Sequence, residues 1–137
     1  MNLKRAVWVS VVAYLVSLII GMGVMFLLGI NPAETSEIPQ DAFLINIIVT
    51  IIFAVLFTLL YFKDRKINAN AKEGALFGVV LVIIGFILDV IVFSASSALT
   101  GTQQSIADYY ANPLFWLAVF LLLITTTLVG TFKRKKR

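Results

Sequence analysis

The chain has 137 residues, of which 61% are hydrophobic and only 13% are charged, with a formal net charge of +4. A soluble domain is nearer ~45–50% apolar and ~25% charged, and a small domain has too little interior to hide such an excess. Lipid is therefore expected to surround most of the chain. The sequence contains no cysteine and no histidine, which excludes disulfides, thiol redox chemistry, Cys/His metal or haem sites and imidazole bases.

Four long apolar segments follow one another along the chain. They are residues 6–30, 42–62, 74–97 and 113–132, and the third contains the only charge among them, Asp89. At ~1.5 Å per residue, each segment is long enough to cross a hydrocarbon core of ~30 Å once. Because backbone amides in lipid must be paired within their own segment, each is predicted to be a helix. We expect an all-α bundle of four transmembrane helices, forming a single domain over residues 1–137.

Short polar stretches with helix-breaking residues separate these segments. Asn112 followed by Pro113 predicts a helix N-cap with proline at the first helical position. In the loop 98–112, Ser105 and Asp108 form a weak capping box, which would start one helical turn through the two tyrosines that follow. An ordinary loop with aromatic anchors is the interpretation that we favour for this segment.

The basic residues are distributed on one side only. All eleven Lys and Arg residues lie in the segments 4–5, 63–72 and 133–137, and the loops 31–41 and 98–112 contain none. Because positive charges resist translocation, basic loops stay in the cytoplasm. We expect a multi-pass protein of the plasma membrane, with both termini and the 63–73 loop cytoplasmic. Since every copy then inserts the same way, any homo-oligomer should be parallel.

The positive charge near the carboxyl terminus does not indicate nucleic acid binding, because its position is that of a topogenic stop after the last span. The same charges could bind anionic lipid, at ~1 kcal/mol for each basic residue near the surface. This hypothesis concerns Lys133, Arg134, Lys135, Lys136 and Arg137.

Asp89 is the one functional lead inside a predicted span. It lies ~20 Å from the cytoplasmic edge and ~10 Å from the outer edge of the third segment. An ionised carboxylate at such depth costs about 2.5–3.5 kcal/mol, and the spans contain no Lys or Arg to neutralise it. Asp89 is therefore expected to be protonated, to be hydrogen-bonded to a neighbouring helix, or to face a water-filled crevice.

Depth selects the candidate partners of Asp89. In the second span, Asn46 and Thr50 lie ~6–12 Å from the outer edge, which is the level of Asp89. The first span has a stripe of small residues, with Ser10 and Tyr14 nearby. We expect the first three spans to meet around Asp89, where it would serve in proton or ion coupling or in an interhelical hydrogen bond.

Small residues predict close helix packing. Gly74, Gly78 and Gly85 follow the three-and-four spacing of one helical stripe that also contains Asp89. Gly74 and Gly78 form a GxxxG pattern, which lets helix backbones approach closely. Gly21 lies on a similar stripe in the first span. All four glycines are expected to face another helix, and Asp89 should point into the bundle.

The third span also carries a family resemblance. The resemblance rests on the pair Glu73-Gly74, the pair Gly78 and Gly85, and the Ile-Leu-Asp89 sequence that leads to the outer loop. Here the chain resembles small four-helix prokaryotic integral membrane proteins of uncharacterised function. The resemblance implies no activity. The chain differs from small multidrug exporters, whose essential carboxylate lies in the first span, and from fluoride channels, whose Gly/Arg signature is missing.

These residues do not indicate an enzyme. A single intramembrane carboxylate cannot form an aspartyl protease pair, and serine or threonine nucleophiles would lack a recognisable base. We expect no catalytic residue, metal site or cofactor. One remaining hypothesis is an accessory or structural subunit that packs with membrane partners. The alternative is a small proton- or cation-coupled transporter that uses Asp89. A dry contact at Asp89 would favour the first, and a solvated crevice the second.

Overall fold

The computed structural model of the chain describes residues 1–29, 40–64, 66–100 and 106–135, apart from the side chains of 40–43, 97, 99, 100, 106, 108, 134 and 135. Its helices are α1 (Leu3–Leu27), α2 (Gln40–Tyr61), α3 (Ala71–Thr100), α4 (Ile106–Ala111) and α5 (Pro113–Lys135). Four of them, α1, α2, α3 and α5, are long and apolar enough to cross a membrane. The prediction of an all-α chain with four such helices is confirmed.

Two helices begin earlier than the apolar segments do, because asparagine side chains cap them. The Asn2 Oδ1 atom accepts a hydrogen bond from the Arg5 backbone N–H at 3.2 Å and so caps α1. In the same way, Asn70 Oδ1 accepts from the Glu73 backbone N–H at 2.8 Å at the start of α3. Each cap satisfies a backbone donor that has no partner inside the helix. The polar residues next to each apolar run therefore join the helix.

The first helix ends earlier than predicted, at Leu27 instead of residue 30. The chain leaves the helix through Leu28 and Gly29, and Gly29 has a φ of 67°. This left-handed conformation is the one in which glycine commonly terminates a helix, because it has no Cβ to clash with the backbone.

The predicted cap of the last helix is confirmed, because Asn112 Oδ1 accepts a hydrogen bond from the Leu114 backbone N–H at 2.9 Å and α5 begins at Pro113. The interpretation of the preceding segment as an ordinary loop was wrong. Residues 106–111 form the short helix α4, which packs against α5. Ser105 and the side chain of Asp108, the proposed capping box, lie outside the described residues.

The four long helices form a ring in the order α1, α2, α5 and α3. Helix α1 packs against α2 and α3, and α5 packs against the same two helices on the other side. Consecutive helices α2 and α3 therefore lie across a diagonal of the bundle.

The tightest packing lies at one end of the bundle, here called the basic end, where α1 and α3 begin and α2 and α5 end. Tyr61 of α2 stacks on Phe77 of α3, with ring centroids 4.4 Å apart and planes 6° from parallel. Away from this end more of the helix surface is exposed, and the side chains of Phe26 and Leu27 on α1 are each 84% exposed. The buried cluster at the basic end comprises Ala6, Val9, Tyr61, Phe62, Ile67, Ala69 and Phe77.

Glycines bring α3 and α5 into direct contact. A Cβ atom on Gly74 would collide with the carbonyl oxygen of Thr126, and one on Gly78 would collide with the Oγ1 atom of the same threonine. Thr126 is fully buried in this contact. A Cβ on Gly130 would strike the carbonyl oxygen of Asn70. This is the close approach expected of Gly74 and Gly78. The role of Gly130 was not predicted, although it follows Thr126 by the four residues typical of small-residue interfaces.

Two of the four glycines proposed for packing do not pack. A Cβ added to Gly21 or to Gly85 would meet no atom within 4 Å, so the expectation that these two face a neighbouring helix was wrong. Both positions face open space on the side where the Cβ would stand, whereas α3 and α5 approach closely at Gly74 and Gly78.

Candidate functional site

Asp89 lies on α3, and each of its two carboxylate oxygens accepts a hydrogen bond from a tyrosine. The hydroxyl of Tyr14 on α1 donates to Oδ1 at 2.7 Å. The hydroxyl of Tyr110 on α4 donates to Oδ2 at 2.9 Å. The carboxyl group is partly exposed. Asp89 therefore joins three helices through two neutral donors.

Of the candidates named from the sequence, Tyr14 of α1 binds Asp89, but the two from α2 are not its partners among the described side chains. Within the part of the chain whose side chains are described, neither Asn46 nor Thr50 donates to it. Asn46 is exposed and Thr50 is partly exposed. The expectation that α2 meets Asp89 was wrong, because Tyr14 of α1 and Tyr110 of α4 occupy the two carboxylate oxygens and α3 packs mainly against α1 and α5. Ser10 is also no partner: its side chain is buried, and its hydroxyl bonds to no described residue.

Aromatic packing holds Tyr110 in place. The Trp116 indole N–H donates to the Tyr110 backbone carbonyl at 2.8 Å, which ties α4 to the first turn of α5. The ring of Phe115 stands edge-on to the Tyr110 ring with centroids 4.7 Å apart, and the Phe86 ring of α3 lies 5.1 Å from it. The hydroxyl is thereby directed at Asp89. The sequence had suggested only that Tyr110 anchors the loop at the interface, so this role was missed.

Burial and the nearby Asp89 raise the pKa values of both tyrosines of α4. Burial, followed by the nearby Asp89 charge, raises the pKa of Tyr109 to about 12. Burial, the hydrogen bond to Asp89 and its charge together raise the pKa of Tyr110 well above its ordinary value. Ionising either phenol would place a second negative charge beside the carboxylate. Both tyrosines therefore stay neutral over the physiological range.

The described ion pairs lie at the other end of the bundle. The Met1 ammonium lies 3.4 Å from Glu73 Oε2, and Arg5 Nη1 lies 3.8 Å from Asp64 Oδ2. Asp89 is thus solvated by two phenol hydroxyls and not by a cation. A carboxylate in this setting can bind a proton or accept a small cation. In the described ranges no group of three or more His, Cys, Asp or Glu residues could hold a metal ion.

A second polar cluster organises the basic end. The Arg5 guanidinium donates to the carbonyl oxygens of Leu60 at 2.8 Å and Tyr61 at 3.1 Å. These carbonyls belong to the last turn of α2, where a cation is favourable. The Tyr61 hydroxyl donates to Glu73 Oε1 at 2.6 Å. The charge pattern had indicated only a topogenic role for Arg5, so its capping of α2 was missed.

The proposed site for anionic lipid lies mostly outside the described residues. Lys133 is partly exposed near the end of α5. The side chains of residues 134–137 are not among those described, so the hypothesis for the other four basic residues stays a prediction.

The chain matches no protein-family model, and comparison with curated proteins and with solved structures found no match. A functional argument for this chain therefore depends on its own residues: the Asp89 cluster, the basic end and the exposed faces of its helices.

Proposed function

We propose that this chain is a non-catalytic accessory subunit of the plasma membrane, which packs with other membrane proteins. The observation that carries this proposal is the Asp89 cluster, in which both carboxylate oxygens are occupied by Tyr14 and Tyr110. A carboxylate used in this way fastens helices together. Polar contacts of this kind across helices are a common device of membrane bundles.

The open part of the bundle supports the same proposal. Beyond the basic end, α1 exposes large apolar side chains along its second half, including Ile19 at 64% and Met22 at 56%. Lipid tails or the helices of a partner can cover such a surface equally well, because no hydrophobic difference separates the two. The chain thus offers an extensive packing surface.

The orientation in the membrane is part of the proposal. The one-sided distribution of the eleven basic residues favours cytoplasmic amino and carboxyl termini and a cytoplasmic loop between α2 and α3. The Lys133–Arg137 segment would then face the anionic leaflet and bind its lipid headgroups.

Affinity purification in mild detergent tests the accessory role. A tagged chain should bring down one or more membrane proteins in constant ratio, and the ratio should survive a wash that removes bulk lipid. The matched control is an unrelated four-helix membrane protein with the same tag and expression level. If the chain is recovered without any specific partner, with and without prior chemical crosslinking, the proposal fails.

One observation favours a second candidate function, proton- or cation-coupled transport. Asp89 is partly exposed, and Gly85, one helical turn nearer the basic end, faces open space. In proteoliposomes with an imposed pH gradient, the chain would then carry a flux that Asp89→Asn abolishes, because an amide cannot exchange a proton. Ser94→Ala, an exposed change on the same helix, should leave the flux intact. Absence of flux in the unmodified chain across a range of cations would reject this candidate.

A further inference from the structure

Asn46 is a polar residue on the outside of the bundle. Its side chain is exposed, whereas the adjacent Ile47 is buried. Among the side chains that the structure describes, none forms a hydrogen bond with the Asn46 amide. The residue lies within the membrane-spanning part of α2, Leu44–Tyr61.

The depth of Asn46 makes this exposure costly. Fifteen residues separate it from Tyr61 at the basic end of α2, which corresponds to ~22 Å along the helix. The hydrocarbon core is ~30 Å thick, and any tilt of the helix would place Asn46 deeper in it. A side-chain amide has two N–H donors and a carbonyl acceptor, and lipid tails can satisfy neither. A partner with both donor and acceptor groups is therefore needed at this level.

We propose that Asn46 is the centre of an interface with a second, parallel copy of this chain. An amide satisfies an identical amide, because each supplies the donor that the other accepts. Two copies related by a two-fold axis along the membrane normal place the same residue at the same depth. The one-sided basic charge gives every copy the same orientation, so this pairing is available to all of them.

Thr50 extends the interface toward the basic end. It follows Asn46 by one helical turn on the same flank of α2 and is partly exposed. On the opposite flank, Ile48 is 59% exposed and purely apolar, which suits lipid. This inference goes beyond the accessory role, because it requires no partner other than the chain itself.

Disulfide crosslinking tests the interface directly, because the chain has no cysteine of its own. Asn46→Cys in native membranes, treated with a mild oxidant, should form a product of twice the monomer mass. Ile48→Cys is the matched control, since it lies at nearly the same depth on the other flank and should form much less of that product. Equal crosslinking of the two variants, or none at Asn46→Cys, would overturn the proposal.

A second measurement uses variants that remove or retain the amide. Fluorescence transfer between labelled copies in lipid bilayers, diluted with increasing lipid, reports the dimer dissociation constant. Asn46→Leu should weaken association roughly sevenfold, the change expected when the two hydrogen bonds of the amide pair are lost, and Asn46→Gln should weaken it less. An unchanged dissociation constant in Asn46→Leu contradicts the inference. A crosslink from Asn46→Cys to a different protein would also overturn it, while supporting the accessory role.

Discussion

The hydroxyl of Tyr110 and the carboxylate of Asp89, 2.9 Å apart, connect the short helix α4 to the long helix α3. Tyr14 occupies the other carboxylate oxygen from α1. The only charge in the apolar segment 74–97 is therefore a junction at which two other helices are attached.

We expect the two tyrosines to contribute separately to stability. Tyr14→Phe and Tyr110→Phe each remove one donor and should lower the free energy of unfolding by about 1 kcal/mol. Asp89→Leu leaves both hydroxyls without an acceptor and should cost more, whereas Asp89→Asn keeps the shape and an acceptor and should be tolerated. Thermal unfolding in detergent measures these differences. A stable Asp89→Leu variant would show that the junction does not hold the helices together.

The glycines of the α3–α5 contact should be far more sensitive than the glycine beside Asp89. Gly74→Ala and Gly130→Ala place a Cβ against backbone atoms of the neighbouring helix and should destabilise the bundle by about 1–3 kcal/mol. Gly85→Ala is the control: its Cβ enters open space, and alanine favours the helix by about 0.5–1 kcal/mol. Melting temperatures in detergent compare the three. Equal losses at all three sites would contradict the packing described for α3.

Arg5 should matter more than its neighbour Lys4. Arg5→Ala removes the two hydrogen bonds to the last carbonyls of α2 and should lower stability by about 1–2 kcal/mol, because charged donors form the stronger hydrogen bonds. Lys4→Ala removes the same charge from an exposed position and should be nearly neutral. Chemical denaturation in mixed micelles measures both variants. If they behave alike, the contribution of Arg5 is charge alone.

The tyrosines of α4 predict a loss of stability in alkali. Their pKa values are raised above 10 by burial and by Asp89, that of Tyr109 to about 12. A group whose pKa is raised on folding stabilises the fold fully below its unfolded pKa, here about 10, and this contribution disappears as the pH rises through the folded pKa. Stability should therefore decline between about pH 10 and 12.

The ultraviolet absorbance of tyrosinate follows this titration. The difference in absorbance between the unmodified chain and Tyr110→Phe gives the contribution of Tyr110. In Asp89→Asn, where the carboxylate charge is absent, Tyr110 should ionise at a lower pH than in the unmodified chain. Ionisation of Tyr110 at its ordinary pH in the folded, unmodified chain would contradict the described environment.

The topology predicts which positions reagents can reach from outside. Single cysteines at Ser36 and Thr102 should react with an impermeant maleimide in intact cells, and one at Asn68 should react only after the membrane is opened. The chain has no native cysteine, so each label reports a single site. Labelling at Asn68 in intact cells would reverse the proposed orientation.

The partners of Asp89 were predicted incorrectly for two reasons. Depth along each helix was sufficient to place Asn46 and Thr50 level with Asp89, but depth does not indicate which helices are neighbours. The Asp89 oxygens instead accept hydrogen bonds from Tyr14 of α1 and Tyr110 of α4, and α3 packs mainly against α1 and α5. Tyr110 was overlooked as a partner because the loop that contains it was not expected to form a helix against α5.

The amino-acid sequence by itself determined how many helices can span a membrane, about where each begins and ends, and that Asn112 caps the last one. These are local properties, because in lipid each segment must satisfy its own backbone and each cap involves neighbouring residues. Only the tertiary structure decided that Gly74 packs while Gly85 does not, and that tyrosines bind Asp89. Such contacts depend on which helices are neighbours and on how each helix is rotated about its axis. Because the apolar residues of a segment are spread nearly uniformly around that axis, its sequence determines neither the neighbours nor the rotation.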